Sequence, residues 1–76
     1  MNNIIKGDFE KVEEFIEKQQ SDYLLGLLGY VDDRGLLDPQ VASQILEEYG
    51  QDIETYEAET KDTELNTINL IRWLGY

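Results

Sequence analysis

The chain contains neither cysteine nor histidine in its 76 residues, and these two absences constrain its fold most. A domain below about 80 residues has a small core and often needs disulfides or a metal ion for support. Without cysteine there is no disulfide, and without histidine the commonest metal ligand and the usual general base are missing. We therefore expect the fold to depend on helix packing or on self-association.

Apolar residues recur at three- and four-residue steps, a spacing that places them on one face of a helix. The spacing predicts a first helix over residues 8–20, with Asp8 as its N-cap. A second helix should run from Ser21 to about Val31. Because this second helix is apolar nearly all round, we expect it to be buried. Its two glycines, three residues apart, should allow close packing of another helix.

A turn and a third helix follow in the sequence. Residues 32–35 are turn-forming, and Gly35 is free to adopt a positive φ. The two leucines after Gly35 should be extended. Asp38 and Pro39 then give the strongest helix start in the chain, because aspartate suits the N-cap and proline the first helical position. Gly50 should end this helix.

Residues 51–61 carry few apolar side chains, so the pattern allows either a short helix from Asp52 or a frayed acidic loop. A last helix should begin at residue 62 or 63 and end at Leu74. The sequence therefore predicts an all-α fold in which residues 1–76 form a single small acidic domain. Its four to five short helices should pack as a compact orthogonal or bundle-like array.

Three kinds of functional site are disfavoured by the residues present. If Gly35 is placed at position 6 of an EF-hand loop, ligand positions 1 and 12 fall on Tyr30 and Val41, so calcium binding is not expected. A DNA-reading helix–turn–helix is not expected, because no lysine or arginine lies between Arg34 and Lys61. Neither serine has a base to activate it. We predict no enzymatic activity, no metal and no cofactor.

Charge further narrows the function. Acidic residues outnumber basic ones by 17 to 6, which gives a net charge of −11. This balance opposes direct binding of DNA or RNA. No stretch has the length and composition of a membrane span or of a signal peptide, so we expect a cytoplasmic protein with no membrane partner.

The acids are concentrated between residues 47 and 64, where only Lys61 opposes them. On one continuous helix they would average about 3.4 Å per charge, close to the phosphate spacing of one DNA strand. In size and charge the chain resembles the small DNA mimics of anti-restriction and anti-CRISPR type from phages and mobile elements. The resemblance implies an inhibitor that covers the basic nucleic-acid-binding surface of a protein partner. The residues expected to form this acidic face are Glu47, Glu48, Asp52, Glu54, Glu57, Glu59, Asp62 and Glu64.

Two other interpretations of the sequence stay open. The acidic surface can serve solubility alone. Alternatively, the protein is a small helical adaptor or a homodimerising regulatory domain that acts through an apolar helix face. That face would be formed by Leu24, Leu28, Leu70 and Trp73.

Aromatic side chains divide into two predicted groups. Those on apolar stripes should belong to the core: Phe9, Phe15, Tyr23 and Trp73. Tyrosines at or near helix ends are candidates for exposed anchors at an interface, where tyrosine is favoured. These are Tyr30, Tyr49, Tyr56 and Tyr76.

Overall fold

Five α-helices and one 3₁₀ helix make up the protein in a computed structural model that describes residues 7–76. The helices are α1 (Gly7–Gln19), α2 (Asp22–Leu25), a 3₁₀ helix (Gly26–Tyr30), α3 (Pro39–Glu48), α4 (Ile53–Thr60) and α5 (Thr67–Trp73). No β-strand occurs in this described part of the chain. The predicted all-α fold is confirmed.

One cluster of buried apolar side chains joins all five α-helices. Every helix contributes at least one member, and the loops before α3 and α5 contribute one leucine each. The members are Val12, Ile16, Leu24, Leu27, Leu37, Ala42, Ile45, Leu46, Tyr56, Leu65, Leu70 and Ile71. Because burial of apolar area is the main favourable term in folding, this cluster fixes the helices relative to one another.

The junction between α1 and α2 differs slightly from the prediction. The first helix begins at Gly7, so Asp8 is not its N-cap. Asp8 lies inside the first turn, where the helix dipole stabilises a negative charge. Gln20 adopts a left-handed φ of 54° just after α1. Ser21 then caps α2, and its hydroxyl oxygen accepts the backbone N–H of Leu24 at 3.3 Å. The predicted start of the second helix is confirmed.

The second predicted helix is more exposed than its composition indicates. It is α-helical for four residues and then tightens into the 3₁₀ helix, in line with the low helix propensity of its glycines. A Cβ atom at Gly26 or Gly29 would meet no atom within 4 Å. The prediction that another helix packs closely against the two glycines is therefore wrong. Only one face of the segment is buried, through Leu24 and Leu27.

Helices α3 and α4 have the end signals that the sequence predicts. The Asp38 carboxylate accepts two backbone N–H groups of the first turn of α3, at 2.8 and 3.3 Å. Gly50 follows α3 with a φ of 77°, and two backbone bonds back into the helix complete a Schellman motif. Asp52 caps α4 by accepting the N–H of Thr55 at 2.8 Å. Residues 53–60 are thus a helix and not a loop.

The loops before α3 and α5 lie side by side and pair through their backbones. The N–H of Leu37 donates to the carbonyl of Leu65, and the N–H of Thr67 donates to the carbonyl of Gly35, both at 3.0 Å. These bonds flank an antiparallel bridge at Leu36. The predicted extended leucine pair is confirmed, and it ties the two helix–loop–helix halves together.

Both loops are held by an aspartate in the same way. Each carboxylate accepts the backbone N–H groups two and four residues later, at 2.9 and 3.0 Å for Asp32 and at 3.0 and 2.8 Å for Asp62. The third residue after each aspartate has a positive φ, 82° at Gly35 and 63° at Leu65. The second loop also delays the last helix, which begins at Thr67 and not at residue 62 or 63.

Replacing Gly35 by alanine should destabilise the protein for two reasons. The residue has positive φ, and its Cβ would lie 3.3 Å from both the Asp8 carbonyl oxygen and a methyl group of Val12. We expect the free energy of unfolding to fall by about 1–3 kcal/mol in urea titrations. Gly50→Ala is the matched control, because φ there is 77° and the added Cβ would meet no atom within 4 Å. Equal losses in the two variants would show that the contact with α1 contributes nothing.

Candidate functional site

The acidic side chains lie at the surface. All 17 fall within residues 7–76, and none is buried: 14 are exposed, and Glu13, Glu57 and Asp62 are half-buried. Arg34 pairs with Asp32 of its own turn at 3.5 Å, and both side chains are exposed. Arg34 therefore pairs with a carboxylate of its own loop, the one before α3, and not with the acids of residues 47–64.

The eight predicted site residues do not share one helix. They lie at the end of α3, at the start of and along α4, and in the loop before α5. Gly50 interrupts the segment, so the regular charge spacing expected for a continuous helix does not form. We refer to residues 47–64 as the acidic segment.

Half of the predicted residues hold the fold through side-chain hydrogen bonds. The Glu48 carboxylate accepts the hydroxyl of Tyr23, and that of Glu59 accepts the indole N–H of Trp73 at 3.0 Å. The other two with such bonds are Asp52, which caps α4, and Asp62, which holds the loop before α5. The carboxylates that form no such bond with described residues are Glu47, Glu54, Glu57 and Glu64, which we call the free carboxylates.

Hydrogen bonds hold two of the structural carboxylates in the ionised form. The backbone N–H of Thr55 lowers the pKa of Asp52. Partial burial acts to raise the pKa of Asp62, but bonds from the Tyr56 hydroxyl and from the backbone N–H groups of Asn66 and Glu64 outweigh it and lower the pKa. Both side chains therefore act as charged acceptors inside the fold at neutral pH.

A groove lies between the α2–3₁₀ segment and α3, and we call it the tyrosine groove. It encloses about 470 Å³. Its apolar lining is formed by Leu27 and Ile45, which are buried, and by Val41, which is half-buried. Six lining residues are exposed: Tyr23, Gly26, Tyr30, Gln40, Gln44 and Glu48. The groove thus combines an apolar interior with aromatic rings and one carboxylate.

Tyrosine hydroxyls near this groove form two separate hydrogen-bonded pairs, Tyr23 with Glu48 and Tyr49 with Tyr76. Partial burial and the bond to Glu48 raise the pKa of Tyr23 to about 12. Tyr49 and Tyr76 share a hydrogen bond between their hydroxyls, which with partial burial raises the pKa of Tyr49 to about 12. Their rings meet edge to face with centroids 6.2 Å apart. At neutral pH the hydroxyls of Tyr23 and Tyr49 stay protonated, and that of Tyr23 orients the carboxylate of the groove.

The structure divides the aromatic residues differently from the sequence. Tyr23 was expected in the core, yet 45% of its surface is exposed because the glycine-bearing face of the helix points outward. Tyr56 was a candidate anchor, yet it is fully buried. The expected exposure holds for Tyr30, Tyr49 and Tyr76.

The apolar face expected for an adaptor or a dimer is occupied within the fold. Leu24 and Leu70 are fully buried, and Leu28 and Trp73 pack against the same core. The sequence pattern correctly identified these residues as one apolar set, but that set faces inward. The tyrosine groove, in contrast, has a half-buried apolar residue, Val41, and two exposed tyrosines that a partner can contact.

Metal and membrane sites have no structural support in residues 7–76. This part contains no group of three or more acidic side chains arranged to hold a metal ion. None of its helices combines the length and apolar character that crossing a membrane requires. Comparisons with known protein families, curated proteins and solved structures find no match to this chain. The acidic segment and the tyrosine groove are therefore the features from which a function can be inferred.

Proposed function

We propose that the protein is a non-enzymatic binding module that covers the basic, nucleic-acid-binding surface of a protein partner. The observation that carries this proposal is the set of free carboxylates on a chain with a net charge of −11. Self-repulsion of this kind destabilises a compact state, which a small core tolerates poorly. A basic partner would supply the missing counter-charge on binding.

The proposed mimicry concerns the amount and sign of charge and not a regular phosphate spacing. The acidic segment bends at Gly50, so its carboxylates are distributed over two helices and a loop. Such a surface can compete with nucleic acid for a cationic cleft because both present dense negative charge. An inhibitor of a nuclease or restriction-type enzyme, of the kind made by phages and mobile elements, fits this description.

Reversing three free carboxylates should weaken capture of the partner. The variant carries Glu47→Lys, Glu54→Lys and Glu57→Lys, none of which removes a side-chain hydrogen bond within the described fold. We expect partner affinity to fall by about tenfold or more, since charge complementarity governs such association. The measurement is a pull-down from nuclease-treated host lysate with elution in salt steps, followed by affinity measurement on the captured protein.

A matched control separates the acidic segment from net charge. Glu14→Lys, Glu17→Lys and Asp33→Lys change the charge equally at exposed positions outside residues 47–64. This control should retain most of the affinity, and duplex DNA should displace the captured partner from the wild-type protein. Binding that is indifferent to salt, to duplex DNA and to the reversed segment would contradict the proposal.

The alternative proposal is a small helical adaptor or homodimerising regulatory domain, and the open tyrosine groove favours the adaptor version. A dimer predicts stability that rises with protein concentration. The charge of −11 on each copy opposes self-association. Sedimentation equilibrium at two salt concentrations decides this point: a monomer at high concentration and high salt removes the dimer version.

A further inference from the structure

The tyrosine groove has the size of a site for one long side chain and its immediate neighbours. Its volume of about 470 Å³ lies within the range of small-ligand sites. The groove is open because Gly26 lines it without a side chain, and a Cβ atom there would meet nothing within 4 Å. The backbone at Gly26 has a φ of −64°, which any residue adopts. The open space therefore does not reflect a strained backbone.

The lining of the groove combines apolar surface with one negative charge. Val41 and the rings of Tyr23 and Tyr30 provide accessible apolar surface, and Glu48 supplies a carboxylate beside two glutamines. A side chain that matches this combination needs an apolar stem and a cationic head. Arginine fits best, because its planar guanidinium pairs with a carboxylate through two hydrogen bonds and also contacts aromatic faces.

The same kind of contact already occurs inside this protein. The guanidinium of Arg72 lies over the ring of Phe15, with its central carbon 5.7 Å from the ring centroid. Tyr23 and Tyr30 offer comparable rings at the groove, and both are exposed. Among the described residues that line the groove there is no lysine or arginine, so none of them pairs a cation with its carboxylate.

Electrostatics selects a basic partner over a second copy of this chain. Two copies would bring together net charges of −11 each, which disfavours pairing at an opening that carries Glu48. An anionic or nucleic-acid ligand is disfavoured for the same reason. The occupant with complementary charge is a cationic segment of another protein.

We propose that the tyrosine groove binds an arginine of the basic protein partner, with its stem against Val41 and the two tyrosine rings and its guanidinium on Glu48. This inference rests on the proposed function, since it presumes a basic partner. It deepens that function by naming the site and the side chain. The free carboxylates would supply long-range attraction, and the groove would fix one residue of the partner in place.

Nuclear magnetic resonance titration of the whole protein with two tripeptides tests the proposal. The probes are acetyl-Ala-Arg-Ala-amide and the same peptide with citrulline, a neutral isostere, in place of arginine. We expect the arginine peptide to shift the backbone amide signals of residues that line the groove, including Gln44 and Glu48. It should bind about tenfold more tightly than the citrulline peptide, because it forms charge-assisted hydrogen bonds.

A pair of glycine variants makes the test specific to the groove. Gly26→Met places a long side chain into the space, whereas Gly29→Met places the same side chain at a position that does not line it. Neither added Cβ meets an atom within 4 Å, so both variants should fold, and their circular dichroism verifies this. We expect Gly26→Met to weaken the arginine peptide at least tenfold and Gly29→Met to leave its affinity unchanged.

The outcomes separate this proposal from the proposed function. Unchanged peptide binding in Gly26→Met, or equal binding of the two peptides, overturns the groove proposal. If the arginine peptide instead shifts signals of α4 only, the groove proposal fails and the acidic segment remains a site for cations. Loss of partner capture in the triple lysine variant of the acidic segment concerns the proposed function, whatever the groove binds.

Discussion

Replacing Tyr56 by alanine should leave most of the protein unfolded at room temperature. The side chain is fully buried, and its ring meets that of Trp73 edge to face at a centroid distance of 5.3 Å. Loss of a buried aromatic side chain costs about 3–5 kcal/mol, and a domain of this size has little more than that in total. Circular dichroism and the fluorescence of Trp73 should both show a largely denatured variant without urea.

Tyr56→Phe separates the ring from the hydroxyl. This hydroxyl donates to the Asp62 carboxylate and accepts the Asn69 side-chain N–H at 3.1 Å. Phenylalanine keeps the ring and leaves those groups without their partner, so we expect a loss of about 1–2 kcal/mol with the fold retained. Tyr49→Ala is the exposed control and should cost less than Tyr56→Ala. A cooperative fold in Tyr56→Ala with a loss below that of Tyr49→Ala would contradict the placement of Tyr56 in the core.

The sequence could not place Tyr56 because burial of a tyrosine is decided by distant partners. Within residues 51–61 the apolar residues are few and their spacing does not define a face. The local pattern therefore allows an exposed tyrosine near a helix end. In the fold, Asp62 and Asn69 satisfy the hydroxyl, and Trp73 covers the ring. A buried tyrosine needs both kinds of contact.

Four helix ends, by contrast, could be predicted from the sequence because their causes are local. The side chains of Ser21, Asp38 and Asp52 bond to N–H groups within the next three residues, and Gly50 takes the positive φ that follows a helix. These signals involve no distant residue. They were sufficient for four helix boundaries, whereas the apolar periodicity supplied the all-α class.

The candidate sites depend on contacts between residues far apart in the chain, and such contacts cannot be inferred from local sequence patterns. Acidic composition identified the acidic segment, but which carboxylates are free depends on partners such as Tyr23, 25 residues before Glu48. The tyrosine groove exists because the glycine-bearing face of the 3₁₀ helix points outward beside α3. The apolar pattern alone predicted that this face would be covered.

The similarity of the loops before α3 and α5 also could not be recognised from the sequence pattern. Asp32 and Asp62 hold their loops through bonds to backbone N–H groups, and backbone groups do not depend on residue type. The position of positive φ is glycine in one loop and leucine in the other, so even this signal is not repeated. Only the aspartate is shared, which is too little to mark a repeat in the sequence.

Asp62→Asn should destabilise the protein at neutral pH, and the loss should diminish in acid. The two carboxylate oxygens of Asp62 accept the Tyr56 hydroxyl and two backbone N–H groups, and the amide nitrogen of asparagine cannot accept any of them. We expect a loss of about 1–3 kcal/mol in the free energy of unfolding near pH 7. Urea titrations at several pH values, followed by circular dichroism, give the measurement.

The pH dependence follows from the lowered pKa of Asp62. Its ordinary value is 3.8, and its pKa in the folded protein lies below this. A lowered folded pKa contributes stability that is fully present above the unfolded value and is lost as the pH falls through the folded value. The difference between wild type and Asp62→Asn should therefore be constant near neutral pH and shrink below pH 3.8. A difference that stays constant into this acid range would contradict the assignment.

Asp33→Asn is the control that separates the effect of the lost hydrogen bonds on stability from the effect of the changed charge. Asp33 lies in the other loop, is exposed and forms no side-chain hydrogen bond with the described residues, yet its replacement removes the same single negative charge. With a net charge of −11, that removal alone relieves repulsion and should slightly stabilise the fold. The two variants should therefore change stability in opposite directions at pH 7. Equal changes would mean that Asp62 acts only through its charge, and that the loop before α5 is held without its carboxylate.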